Sequence, residues 1–219
     1  MTPPQPAGAP RADRRRQRTR SAIIAAGQQL FAARSMEGVS IDDIVEAADV
    51  AKGSFYNHFD DKAGLAATII ELVQGDCEHH VFVANQGVED AAARVARALA
   101  VMVRYAHEHP DRLQAMLSLA NRRTNVKAPL NAGVTHDIKH GLETGRFRGV
   151  TPESGVLIVI GLISVAVDFL SGPDAATPPA QVVAEMGAAL LRALGVDPGL
   201  APIVAREASE LLPEWGERR

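Results

Sequence analysis

A single cysteine, Cys77, in 219 residues excludes a disulfide framework and fits a reducing cytoplasm. Aromatic residues are also scarce, at 4%, although the 47% hydrophobic content argues against a disordered chain. No long apolar stretch opens the sequence, so neither a signal peptide nor an N-terminal anchor is expected. The longest apolar run, Val156 to Val167, reads as too short to cross a bilayer, and no membrane partner is expected. Nucleophile elbow, P-loop, dinucleotide fingerprint and zinc-protease motif are all missing, which speaks against an enzyme and against a cofactor. Positive charge is not in excess either. With 23 Lys and Arg against 26 Asp and Glu, the net charge is −3, and the average alone speaks against a nucleic-acid binder.

What is present is unevenly distributed. Residues up to Lys62 carry nine basic and eight acidic side chains; the rest carry fourteen and eighteen. Met1 to Pro10 holds four prolines and almost nothing that packs, so residues 1–13 are expected to form a disordered tail. Arg11, Arg14, Arg15, Arg16, Arg18 and Arg20 follow, opposed only by Asp13. A run of this kind is ordinarily a solvated face; here it feeds a patterned helix.

Beyond the tail, helical spacing dominates. Ile23, Ile24, Gly27, Leu30 and Phe31 form an apolar stripe. Ser40-Ile41-Asp42-Asp43 reads as a helix start, with the Ser40 hydroxyl capping the Asp43 amide and both carboxylates at the positive end of the helix dipole. A two-turn helix, a break at Asp49-Val50-Ala51 and a third short helix from Lys52 to about Phe59 give the layout of a helix-turn-helix. Phe55 and Phe59, at i and i+4, face inward. Lys52, Ser54, Tyr56, Asn57 and His58 are left to face DNA, and Gly53 permits close backbone approach. Lys62, at the start of the fourth helix, is placed to meet a phosphate together with the helix amides. Periodicity alone also fits a small packed helical unit with an aromatic core.

The segments Gly38 to Val45 and Val50 to Leu65, with Leu30-Phe31 and the arginines before them, closely resemble the DNA-binding head of TetR-family transcriptional regulators. The resemblance covers roughly residues 14 to 77. Three positions depart from the family pattern. Asp49 stands where a turn glycine is usual, at a place expected to need positive φ. Ala51 replaces a capping Ser or Thr, at a cost of about 1 kcal/mol. Gly27 replaces a helix-forming alanine, at a similar cost of about 1 kcal/mol, which suggests a slightly less rigid head.

The resemblance implies an all-α chain with a DNA-binding domain at 14–77 and a ligand-binding and dimerisation domain at 78–219. It further implies a homodimer on a near-palindromic duplex operator, most simply a cytoplasmic repressor released by an unidentified small-molecule effector. The DNA-contact candidates are Arg14, Arg15, Arg16, Arg18, Ser40, Lys52, Gly53, Ser54, Tyr56, Asn57, His58 and Lys62. Dimer contact is expected through the helices near 152–170 and 179–194, where Gly155, Gly161, Ser164 and Ala166 would permit close approach. Tyr105, Met116 and Asp168 are the candidates for lining an effector pocket, Asp168 because an unpaired carboxylate in an apolar helix is costly to bury. Arg122, Arg123 and Lys127 read as a solvated loop able to receive an anion.

Metal binding is not expected. Cys77, His79, His80, His107 and His109 are the right residue types, but neighbouring histidines point about 100° apart on a helix, and His136 and His140 at i and i+4 read as surface or pocket groups. The alternative function is a small-molecule-binding helical protein or metalloenzyme whose head is an interaction module.

Overall fold

The computed structural model describes residues 11–119, 131–172 and 176–213, and all their regular structure is helical. Among the described residues there are ten helices: α1 (Arg11–Ala33), α2 (Ile41–Ala47), α3 (Lys52–Tyr56), α4 (Lys62–Ala84), α5 (Ala91–Glu108), α6 (Pro110–Leu119), α7 (Ala132–Glu143), α8 (Pro152–Ser171), α9 (Pro179–Ala193) and α10 (Ala201–Ser209). The all-α expectation holds. The tail ends sooner than expected, because Arg11 to Asp13 already belong to α1, so the arginines sit on a helix. The basic stretch at Arg122, Arg123 and Lys127 lies outside the described residues.

The chain divides into two compact units, and their border differs from the expected one at 77/78. The first takes residues up to Leu72 together with 114–120; the second takes 73–113 and everything from 121 onward. The C-terminal half of α6 joins the first unit through a definite contact, the Ser118 hydroxyl donating to the Phe31 carbonyl at 2.7 Å. Sequence spacing holds no trace of that long-range bond.

The core of the first unit is Ile23, Phe31, Val39, Ile44, Phe55, Leu65 and Ile69, each at most 1% exposed. Gly27 lies within it. A Cβ built there would stand 2.9 Å from Leu65 Cδ2 and 3.0 Å from Ile69 Cδ1, so α1 and α4 approach closely at this point. Gly27 therefore does more than lower helix propensity: its bare backbone lets two helices pack.

In the second unit α5 is the central element, packed by α7, α8, α9 and α10. Val95, Ile138, Phe147, Val156, Val159, Leu190, Leu191 and Leu194 form one continuous aliphatic core around a single phenyl ring. Asp137, buried on α7, is paired with Arg94 of α5 at 2.6 Å, as a carboxylate withdrawn from water requires. Gly155 presses against Ile138, a Cβ there falling 2.8 Å from Ile138 Cγ2, and Ala166 is buried. These two small residues serve packing within the chain, not an outer face; Gly161, with open space beside it, is the one that looks outward.

The apolar run at Val156–Val167 belongs to a longer element than its sequence length suggested. α8 has 20 residues and a mean hydropathy of 2.2 over its best window, and by length and composition it could cross a membrane, with a third of that window buried. Its exposed apolar residues Leu157, Val165 and Phe169 fall at multiples of four along one side, with Gly161 between them.

Replacing Gly27 by Val forces the α1–α4 contact apart, and a loss of about 1–3 kcal/mol is expected from overpacking. Gly27→Ala should lose less, because the nearest atoms are flexible side-chain ends. Equilibrium denaturation of the three proteins tests the order; a Val variant as stable as the parent would remove the close-approach role.

Candidate nucleic-acid interface

The helix-turn-helix is fixed by local bonds at each joint. Ser40 caps α2: Asp43 N–H donates to the Ser40 hydroxyl at 3.1 Å, and Ser40 N–H donates back to Asp43 Oδ2 at 2.8 Å. The Ser40 hydroxyl also donates to that carboxylate, which lowers the Asp43 pKa through the Ser40 backbone bond first and its side-chain bond next. Ser40, a DNA-contact candidate, is thus committed to the cap. The turn passes through Asp49 at φ 51°, the only positive φ at a non-glycine among the described residues, where the family resemblance placed it. Val50, half-buried, donates its N–H to Val45 O at 3.0 Å and closes the turn.

α3 is shorter than expected, ending at Tyr56 instead of running to Phe59, and Ala51 gives it no side-chain cap. Five residues do not form a stable helix alone. Burial holds it instead: Phe55 is 0% exposed, Phe59 is 6% exposed, and their ring centroids lie 5.7 Å apart. The Arg20 guanidinium of α1 lies over the outer face of Phe59, 5.4 Å from its centroid.

With the phenylalanines inside, the opposite side of α3 is open. Lys52, Gly53, Tyr56 and Asn57 are exposed, and Ser54 and His58 are half-exposed. A Cβ at Gly53 would meet nothing within 4 Å, so the protein's own packing does not require glycine there. Lys52 pairs with Asp42 at 2.8 Å on the surface, and that hydrogen bond raises the ammonium's pKa. Arg14, Arg15, Arg16 and Arg18 are exposed on α1. Burial, followed by repulsion from Arg16 and Arg20, holds the His58 imidazole below its ordinary pKa, so it is neutral at pH 7 and one ring nitrogen can accept. The structure therefore gathers an exposed polar row on α3 and a cationic side of α1 in one unit.

Lys62 is placed differently from the phosphate role expected of it. Its ammonium donates to Met36 O at 2.5 Å and Val39 O at 2.6 Å, closing the link between α1 and α2. Only one of its three protons is left for an outside partner. Tyr105 is buried in the second unit, its hydroxyl donating to Asp76 Oδ2 at 2.9 Å; Met116 is buried in the first unit; and Asp168 is exposed on α8, so no buried charge arises there. Sequence reasoning missed Asp76, although its i,i+4 spacing to His80 was visible.

Residues 23–69 match the bacterial regulatory proteins of the tetR family. That segment, which holds the helix-turn-helix, is therefore a TetR-family DNA-binding region. The chain is 32% identical over 80 residues to the transcriptional repressor DhaR of Mycobacterium sp. (strain GP1), a match covering 36% of this chain and 39% of that protein. It thus spans about two fifths of that relative's length. Likeness of fold extends much further. RolR in complex with resorcinol superposes with a TM-score of 0.66 at 25% identity, over 88% of this chain and 95% of that one. A gamma-butyrolactone receptor gives 0.65 at 22% identity, over 90% and 99%. The match at residues 23–69 and the likeness to a curated repressor support a DNA-binding head over an interaction module.

Lys62→Ala removes two charge-assisted bonds to backbone carbonyls and should destabilise the first unit by about 1–3 kcal/mol. Lys52→Ala breaks only an exposed pair and should leave stability almost unchanged. Urea denaturation of the two variants checks the contrast, and equal midpoints would take Lys62 out of the α1–α2 link.

Proposed function

We propose that this regulator is a cytoplasmic repressor that binds a near-palindromic duplex operator as a homodimer and leaves it when a small molecule binds the body. One observation carries the DNA-binding half: an exposed row of Lys52, Gly53, Tyr56 and Asn57 on a helix anchored from behind by Phe55 and Phe59, with the arginines of α1 in the same unit. Tyr56 and Ser54 donate to phosphate oxygens, Lys52 and Asn57 reach phosphates or base edges, and α1 supplies sequence-independent attraction. Lys62 contributes its remaining proton to a phosphate at most. The acidic remainder of the chain, fourteen basic against eighteen acidic residues, repels DNA and confines binding to the head.

The homodimer is supported by α8. Leu157, Gly161, Val165 and Phe169 form an exposed stripe on an apolar helix, and a second copy would withdraw it from water. Asp168 borders that stripe and would lie at the edge of such a contact. Two recognition helices in one dimer read successive major grooves at about 34 Å spacing, which makes the operator near-palindromic. Effector binding releases DNA only if it favours a state whose spacing does not match. RolR, alike over most of its length, carries the small phenol resorcinol, which supports a small-molecule effector here, with Tyr105 and Met116 retained as contact candidates in their separate units.

Selection from a random-sequence duplex pool should enrich a near-palindrome with half-sites one helical turn apart. Gly53→Leu is the sharpest variant, since leucine improves helix propensity and its Cβ meets nothing within 4 Å. It should fold at least as stably as the parent yet lose binding to the selected duplex more than tenfold; retained binding would remove α3 from the interface. Val165→Glu with Phe169→Glu should shift the protein to monomer in sedimentation and weaken duplex binding together; an unaltered dimer would move the interface off α8.

A further inference from the structure

Three metal-ligating side chains meet in the second unit, outside everything the DNA-facing row uses. Asp76 and His80 lie at i and i+4 on α4, so they project from one face of that helix. His109 caps the C-terminal end of α5, directly before α6 begins at Pro110. One donor atom from each of the three lies within 4.8 Å of the others, with His80 Nε2 at 3.7 Å from Asp76 Oδ1. The two imidazole rings stand 6.3 Å apart, and the buried Tyr105 ring packs against both at 5.4 and 4.8 Å.

The carboxylate is already oriented. The Tyr105 hydroxyl and Arg112 Nη1 both donate to Asp76 Oδ2, at 2.9 and 3.1 Å, which leaves Oδ1 turned toward His80. Outer hydrogen bonds of this kind fix a ligating oxygen and are the usual support of a metal-binding carboxylate. All three residues are half-buried, so an ion can enter and keep a water ligand.

We propose that Asp76, His80 and His109 bind one divalent transition-metal ion of the zinc class, and that this ion is an effector of the regulator. Two imidazoles with one carboxylate suit zinc, nickel or cobalt, whereas magnesium demands a shell of oxygens. Donors sharing one zinc at 2.0–2.2 Å stand about 3.3 Å apart, so the site closes by about 1.5 Å of side-chain movement. Cys77, adjacent in sequence, is fully buried and does not belong to the convergent set.

The place in the chain gives the ion its leverage. α4 passes out of the first unit after Leu72, four residues before Asp76, and α6 returns to it at Gln114, five residues after His109. An ion joining α4 to the α5–α6 junction ties together the two stretches that lead to the DNA-facing unit. This effector role rests on the regulator function proposed above; the binding site itself does not.

The test uses the full chain, stripped of metal by chelator dialysis. Calorimetric titration with zinc chloride should give one equivalent, magnesium chloride should give none, and cobalt(II) should develop the visible absorption of a tetrahedral site. His80→Gln and His109→Gln should each weaken zinc at least about tenfold and bleach the cobalt band, with melting temperatures unchanged. His140→Gln, which breaks the exposed stacked pair with His136, should alter neither. Absence of zinc binding, or binding indifferent to both His80 and His109, overturns the site. The duplex recovered by selection should then change affinity at least about fivefold with zinc in the parent protein and not in His80→Gln. Zinc bound without that change overturns the effector role. Zinc bound by a protein that takes no duplex in either state overturns the regulator function and leaves the site standing.

Discussion

The burial of Phe55 and Phe59 is the contact on which the DNA-facing surface depends. α3 has five residues, no side-chain cap and a glycine at its second position, so its helicity has no intrinsic source. Two phenyl rings inserted at i and i+4 fix its orientation, and everything on the opposite side becomes exposed by consequence. The neighbouring devices serve the same end. The Ser40–Asp43 capping box starts α2, Asp49 at φ 51° turns the chain, and Lys62 fastens the α1–α2 link from the first turn of α4. A short helix that must contact DNA cannot bury its polar face, so its rigidity has to be imported from the other one.

Local features were the legible ones. The capping box is written in four consecutive residues, and the positive φ at Asp49 was legible through the family resemblance, which puts a turn glycine there. The apolar stripes of α4, α5 and α9 likewise repeat at helical spacing, and the all-α class followed from them. Long-range features were not legible. Gly27 reads as a weak helix former until Leu65 and Ile69 are seen against it, some forty residues away. Lys62 reads as a free cation until the carbonyls of Met36 and Val39 fill most of its donors. Gly155 and Gly161 are indistinguishable in sequence, yet Ile138 of α7 makes one a packing residue and leaves the other in the open.

The histidines show the same division from the other direction. Adjacent His79 and His80 argue against a shared ion, since neighbouring positions on a helix diverge. The convergent set takes only one of them and adds Asp76 from the preceding turn and His109 from 29 residues further on. Helical periodicity finds the first pair and is blind to the third member, because that contact is made by α4 and the end of α5 meeting in space. The buried Tyr105 sits at the middle of it, which explains why its hydroxyl, raised in pKa chiefly by burial, stays protonated as a donor to Asp76.

Regulation asks for a modest coupling, about 1–3 kcal/mol between effector and operator, and small side-chain displacements can supply it only where they bear on a bistable element. Few stretches of this chain pass from one unit to the other, and among the described residues α4 and α6 are helices that do so. An effector bound deep among α8, α9 and α10 would have to act on them indirectly. A ligand gripping α4 one turn beyond the crossing acts on one directly, and through His109 on the other within a few residues. The Asp76 carboxylate, already shared by Tyr105 and Arg112, is a group whose charge balance an incoming cation must alter. Position in the chain, more than cavity size, thus singles out this cluster as a place where binding energy could be converted into a change at α3.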